Sequence, residues 1–110
     1  MQITPKNPIY LTEISYHPMI AFSFTLPSQD FGWEGIAIFV EYGQTDSRPD
    51  RIGYNVWVQF PGAVFRGFVC SGDIPGKIED EETIQRIVWE INISDTFHEE
   101  LLKYINCQPD

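Results

Sequence analysis

The sequence predicts an α+β fold: a mainly antiparallel sheet of four to five strands in meander order, followed by a C-terminal helix or helices. Three observations carry this. Apolar residues alternate in successive segments between Ile20 and Phe60, the period of a half-buried strand. Clusters of Pro, Gly, Asp and Ser separate those segments, so neighbours in sequence are expected to pair as neighbours in the sheet. Beyond Glu79 the spacing shifts toward the three and four of a helix.

The chain opens on the loop Pro5-Lys6-Asn7-Pro8, and Ile9 to Tyr16 alternates loosely enough for a first, edge strand. After His17-Pro18 the pattern sharpens. Ile20, Phe22, Phe24 and Leu26 share one face, with Ala21, Ser23 and Thr25 on the other. The next strand, Gly35 to Tyr42, groups Ile36, Ile38, Val40 and Tyr42 against Ala37, Phe39 and Glu41. Gly43 to Asp50 is rich in turn formers and is expected to be a hairpin loop of about eight residues, long beside the usual two to five. Arg51 to Phe60 returns as the clearest strand, with Ile52, Tyr54, Val56, Val58 and Phe60 on one face. Pro61-Gly62 signals a turn, Ala63 to Cys70 supplies a fourth arm, and Ser71 to Gly76 is expected to stop the sheet.

The segment after Glu79 carries two periods at once. Ile84, Ile87, Val88 and Ile91 fit a helix over about Asp80 to Glu90, with acids in its first turn where the dipole favours them. Ile87, Trp89, Ile91 and Ile93 also alternate as a strand would. Agreement between the acidic start and the helical spacing favours the helix. In the last element Thr96 to Glu99 fits a capping box, or Ser94 caps a turn earlier, and Phe97, Leu101, Tyr104 and Ile105 form one stripe. The expected core is Phe22, Phe24, Ile38, Val40, Val56, Val58, Leu101 and Ile105.

A length of 110 residues fits one domain, residues 1 to 110. With 43% hydrophobic and 15% aromatic residues the chain should fold despite a net charge of -9. It has no apolar run of membrane-spanning length and a polar N-terminus, so a soluble, cytoplasmic protein is expected, with no membrane partner. Seven basic residues against sixteen acidic ones argue against binding a nucleic-acid backbone. The charge is localised. Residues 79 to 110 hold nine acids and two bases, a balance of -7, whereas residues 1 to 78 hold seven acids and five bases, a balance of -2.

Motifs for chemistry are missing. His98-Glu99-Glu100-Leu101-Leu102 begins like a zinc-protease helix, but Leu102 stands where the second histidine belongs. No serine lies in a nucleophile elbow, no Gly-rich loop fits a phosphate, and Cys70 as a nucleophile would need a distant histidine. His17 reads as a loop residue and His98 as a solvated one. Cys70 reads as a small buried hydrophobe, Cys107 as more exposed, and the pair as reduced. Asn92-Ile93-Ser94 is a glycosylation sequon by letter alone. No enzyme activity, cofactor or metal site is expected.

What remains is surface. Phe39 and Trp57 make the second sheet face partly apolar, and Phe65 and Phe68 are expected on opposite sides of the fourth strand. Either loops or a second copy cover that second face, or it is a groove for a peptide, protein or small hydrophobic ligand. Arg48 in the expected long loop is a candidate carboxylate or phosphate contact. Glu79, Asp80, Glu81, Glu82, Glu99 and Glu100 form either a solvated helix start or an acidic surface for a basic protein partner, held by aromatic hot spots such as Trp57, Trp89 or Tyr104. Size and charge compare with small inhibitors, immunity proteins and nucleic-acid mimics. The other expectations are a self-associating accessory subunit, hence a homo-oligomer, and a small-ligand-binding domain.

Overall fold

In the computed structural model the described residues form five antiparallel strands, in the order β1-β2-β3-β4-β5, followed by two helices. The structure describes residues 11–13, 19–25, 36–45, 47–80 and 82–106. The strands are β1 (Leu11–Glu13), β2 (Met19–Thr25), β3 (Ala37–Thr45), β4 (Arg48–Gln59) and β5 (Gly67–Pro75), and the helices are α1 (Thr83–Ile93) and α2 (Asp95–Asn106). The fold class is therefore the predicted one, with every strand beside its sequence neighbour.

Period-two alternation gives the sheet its two faces. Phe22 and Phe24 of β2, Ile38, Val40 and Tyr42 of β3, and Ile52, Tyr54, Val56 and Val58 of β4 form one buried cluster with Ile84, Ile87, Val88 and Ile91 of α1 and Phe97 and Leu101 of α2. The helices thus cover one face. Seven of the eight expected core residues are buried in this cluster. The side chain of Ile105 lies outside the described residues, as do the call on His17, the thiol of Cys107 and most of the segment Ile9 to Tyr16.

Three boundaries differ from expectation. The eight-residue loop is not formed: β3 runs to Thr45 and β4 starts at Arg48, with the register shifting between Gln44 and Thr45. Thr45 Oγ1 donates to the Arg48 carbonyl at 2.8 Å, and the Gln44 amide donates to the Pro49 carbonyl, so side chains close a connection that the turn-forming composition predicted to be long. Pro49 fits because it lies in the bulge between the Thr45–Arg48 and Gln44–Ile52 pairs, beyond the end of β5 at Pro75, opposite Arg51. Arg48 therefore belongs to a strand end.

The last strand is displaced toward the C-terminus. Ala63 to Arg66 is a connection bent at Val64 and Phe65, and Ser71 to Pro75, expected to stop the sheet, continues it. A bulge explains the mixed polarity: Val56 pairs with Cys70 and Trp57 with Phe68, leaving Val69 over. Val69 joins the core while Phe68 lies beside Trp57, and Phe65, expected within the strand, is exposed in the turn.

The helix alternative holds at α1, but its first turn contains no acid. Glu79 and Asp80 precede it in a turn closed by Asp80 N–H to the Lys77 carbonyl (3.1 Å) and Thr83 Oγ1 to the same carbonyl (2.9 Å). At α2 the Phe97 N–H donates to Ser94 Oγ at 3.1 Å, so Ser94 is the cap and Thr96 is already helical. His98 is not simply solvated: it is half-buried, its Nε2 2.7 Å from the Asn92 carbonyl.

Candidate functional site

Two surfaces stand out, on opposite layers. The first is the outer side of the helices. Burial of Ile84, Ile87, Val88 and Ile91 turns Glu82, Gln85, Trp89, Glu90 and Ile93 outward. Trp89 is 61% exposed and Ile93 53%, two large apolar side chains one turn apart on the solvent side of the helix. Ile74, Pro75, Glu82, Gln85, Arg86, Trp89 and Glu90 line a groove of about 290 Å³. A spacing of seven residues, two helical turns, stacks Glu82 and Trp89 along one line. The bases of this layer are engaged. The Arg86 guanidinium donates to the Pro75 carbonyl, and Lys103 Nζ lies 2.9 Å from Glu100 Oε1.

The expected partner-binding residues divide among several places. Glu82 and Trp89 meet in the groove, joined by Glu90, which sequence reasoning did not single out. Glu79 and Asp80 are exposed just before α1, Glu99 is exposed on α2, and Glu100 is held by Lys103. Glu81 lies outside the described residues. Tyr104 is tied down, its hydroxyl donating to the Phe68 carbonyl at 2.5 Å. Arg48 lies at the β3–β4 turn, and Trp57 on the sheet face away from the helices.

That other face is the second surface. Register places Phe39, Trp57 and Phe68 in one row across β3, β4 and β5. The Trp57 and Phe68 rings meet edge to face at 5.3 Å, and the Arg66 guanidinium lies 3.8 Å above the centre of the Phe39 ring. Val64 and Phe65, in the turn before β5, are 83% and 84% exposed and Phe68 is 47% exposed. With Phe39, Glu41, Trp57, Gln59 and Arg66, the two turn residues line a cavity of about 460 Å³. Trp57 Nε1 is buried and has no acceptor among the described residues.

The titratable groups between these layers feel the acidic one. Burial pushes the Tyr54 hydroxyl up to about 12, and the charge of Glu90 adds to the effect. Burial likewise raises the Cys70 thiol to about 11, with Glu100 contributing. A thiol held protonated at neutral pH is a poor nucleophile. Among the described residues no three His, Cys, Asp or Glu side chains gather as a metal site, and no helix is long and apolar enough to cross a membrane. Compared with protein-family profiles, curated proteins and solved structures, the chain has no significant match.

Proposed function

We propose that the chain is a non-enzymatic protein-binding module that docks a basic protein partner on its helical layer, with Trp89 at the centre of contact. The observation that carries this reading is the exposed pair Trp89 and Ile93 on the same side of α1 as Glu82 and Glu90. Carboxylates raise the encounter rate with a basic surface, and burial of large apolar side chains, about 1.5 to 3 kcal/mol each, slows dissociation. Lys103 is paired with Glu100, and Arg86, bonded to the neutral Pro75 carbonyl, is outnumbered by Glu82, Glu90, Asp95 and Glu99, so the field of the layer is negative. Small inhibitor and immunity proteins work through this division between steering charge and aromatic anchor.

The test begins with capture of a host partner on immobilised wild-type protein, with a Glu82→Lys, Glu90→Lys double variant as the negative control. Binding kinetics at two salt concentrations follow. The reading expects an on-rate that falls with salt and with charge reversal, and faster dissociation for Trp89→Ala. An on-rate indifferent to both salt and charge would defeat it.

A further inference from the structure

Among the described residues β5 is the last strand of the sheet, paired with β4 and with no strand beyond it. The unpaired side of such a strand is a row of backbone donors and acceptors that another extended chain can continue. We infer that Arg86 and Tyr104 are straps that close this edge, and that the strand they exclude is β5 of a second copy.

Register shows which groups face outward. The Gly76 N–H donates to the Asp50 carbonyl at 2.8 Å, so the backbone of Gly76 points at β4. Alternation along the unshifted register from Pro75 to Cys70 then turns the backbone groups of Ser71, Asp73 and Pro75 away from β4. All three residues are exposed. Pro75 has no N–H to offer, and its carbonyl takes the Arg86 guanidinium of α1. Toward the other end the Tyr104 hydroxyl of α2 donates to the Phe68 carbonyl at 2.5 Å, beside the bulge at Val69. Between the straps Ser71 and Asp73 keep both outward groups, a short run beside an ordinary strand of about five to six residues.

Both straps lie against a glycine. A Cβ on Gly67 would sit 2.5 Å from Tyr104 Cε1, and one on Gly76 would sit 2.9 Å from Arg86 Nη1. At each end a residue without a side chain leaves the strap its room.

Symmetry identifies the excluded strand. A two-fold axis at Gly72 sets Ser71 of each copy opposite Asp73 of the other, and each such pair exchanges an N–H and a carbonyl in both directions. Charge at the centre does not forbid this, since Asp73 Oδ2 lies 2.9 Å from Arg51 Nε of its own chain. Continuing the same register brings Val69 opposite Pro75 and Phe68 opposite Gly76. Each end of the pairing therefore meets Tyr104 from one copy and Arg86 from the other, and cannot lengthen while both hold their carbonyls.

Amide hydrogen exchange at about 10 μM and about 1 mM tests this on the whole chain. In the wild type the Ser71 and Asp73 amides should exchange at the same rate at both concentrations. In the Arg86→Ala, Tyr104→Phe double variant they should be about tenfold slower at the higher concentration, with circular dichroism unchanged. Adding Ser71→Pro to that variant removes an outward N–H and should abolish its self-association in sedimentation equilibrium. Trp89→Ala alters the acidic groove and not the edge, and should behave as the wild type. If the double variant does not fold, Tyr104→Phe, which deletes one oxygen, is read by the same exchange measurement. Wild-type amides that slow with concentration, strap-variant amides that do not, or association that survives Ser71→Pro would overturn the inference.

Discussion

The phenol of Tyr54 on β4 lies across Gly72 on β5, so close that a Cβ on Gly72 would sit 2.5 Å from the Tyr54 hydroxyl oxygen. Gly67 lies as close to Tyr104, where a Cβ would sit 2.5 Å from the ring carbon Cε1. The two contacts differ in what can give way. Tyr54 is held within the core cluster, whereas Tyr104 is half-exposed in the last turns of α2.

Gly72→Ala should therefore cost about 1 to 3 kcal/mol, the range for overpacking a filled interior. Gly67→Ala should let Tyr104 swing aside and lose its bond to the Phe68 carbonyl, about 0.5 to 1.5 kcal/mol. Urea unfolding of both variants checks the order. Equal costs would show that the core does not confine Tyr54.

Stability should fall in alkali. The folded Cys70 thiol titrates at about 11 against an ordinary 9.0, and the Tyr54 hydroxyl at about 12 against 10.0. Between each pair of values the folded chain holds a proton that the unfolded chain has lost, so raising the pH favours unfolding. The contribution is fully present below about pH 9 and declines until both folded values are passed. Urea midpoints between pH 8 and 11 measure this, and Cys70→Ala should move the onset up toward pH 10.

Ser94→Ala should cost about 1 kcal/mol through loss of the α2 cap. Thr96→Ala should cost less, since Thr96 is exposed within the helix. Thermal unfolding of the two variants decides between the caps.

Phe22 and Phe24 are each 1% exposed, their ring centres 6.1 Å apart. Truncation of either to Ala should cost about 3 to 5 kcal/mol, a large share of the stability of a small domain. An unchanged unfolding midpoint would contradict the register of β2.

Legibility in the sequence followed the strength of the periodic signal. Strands β2, β3 and β4 were readable because Phe22, Val40 and Val56 each recur with core partners two residues away. The β5 boundary was not, because Val64, Phe65, Phe68 and Val69 come in adjacent pairs with no period-two alternation, and a bulge at Val69 shifts the register. The tight β3–β4 connection was hidden by Pro49 and Asp50, turn formers that sit in the bulge between the Thr45–Arg48 and Gln44–Ile52 pairs. At the candidate site, acidic excess located the helical layer. Which acids share a groove with Trp89 depended on where α1 starts, three residues later than the charges suggested. The pairing of Val64 and Phe65 with Trp57 depended on the turn before β5, for which only Pro61-Gly62 gave a signal.

The order of the meander also sets a schedule for synthesis. The five described strands end at Pro75, and Leu101, the last described buried residue of the covering helices, follows 26 residues later. At about 5 to 20 residues per second, that interval is roughly one to five seconds. During it the sheet face bearing Phe22, Ile38 and Val56 has no helices to cover it. The nascent chain is therefore most prone to aggregate just before its C-terminal segment emerges, and slow translation of residues 76 to 101 would lengthen the exposure.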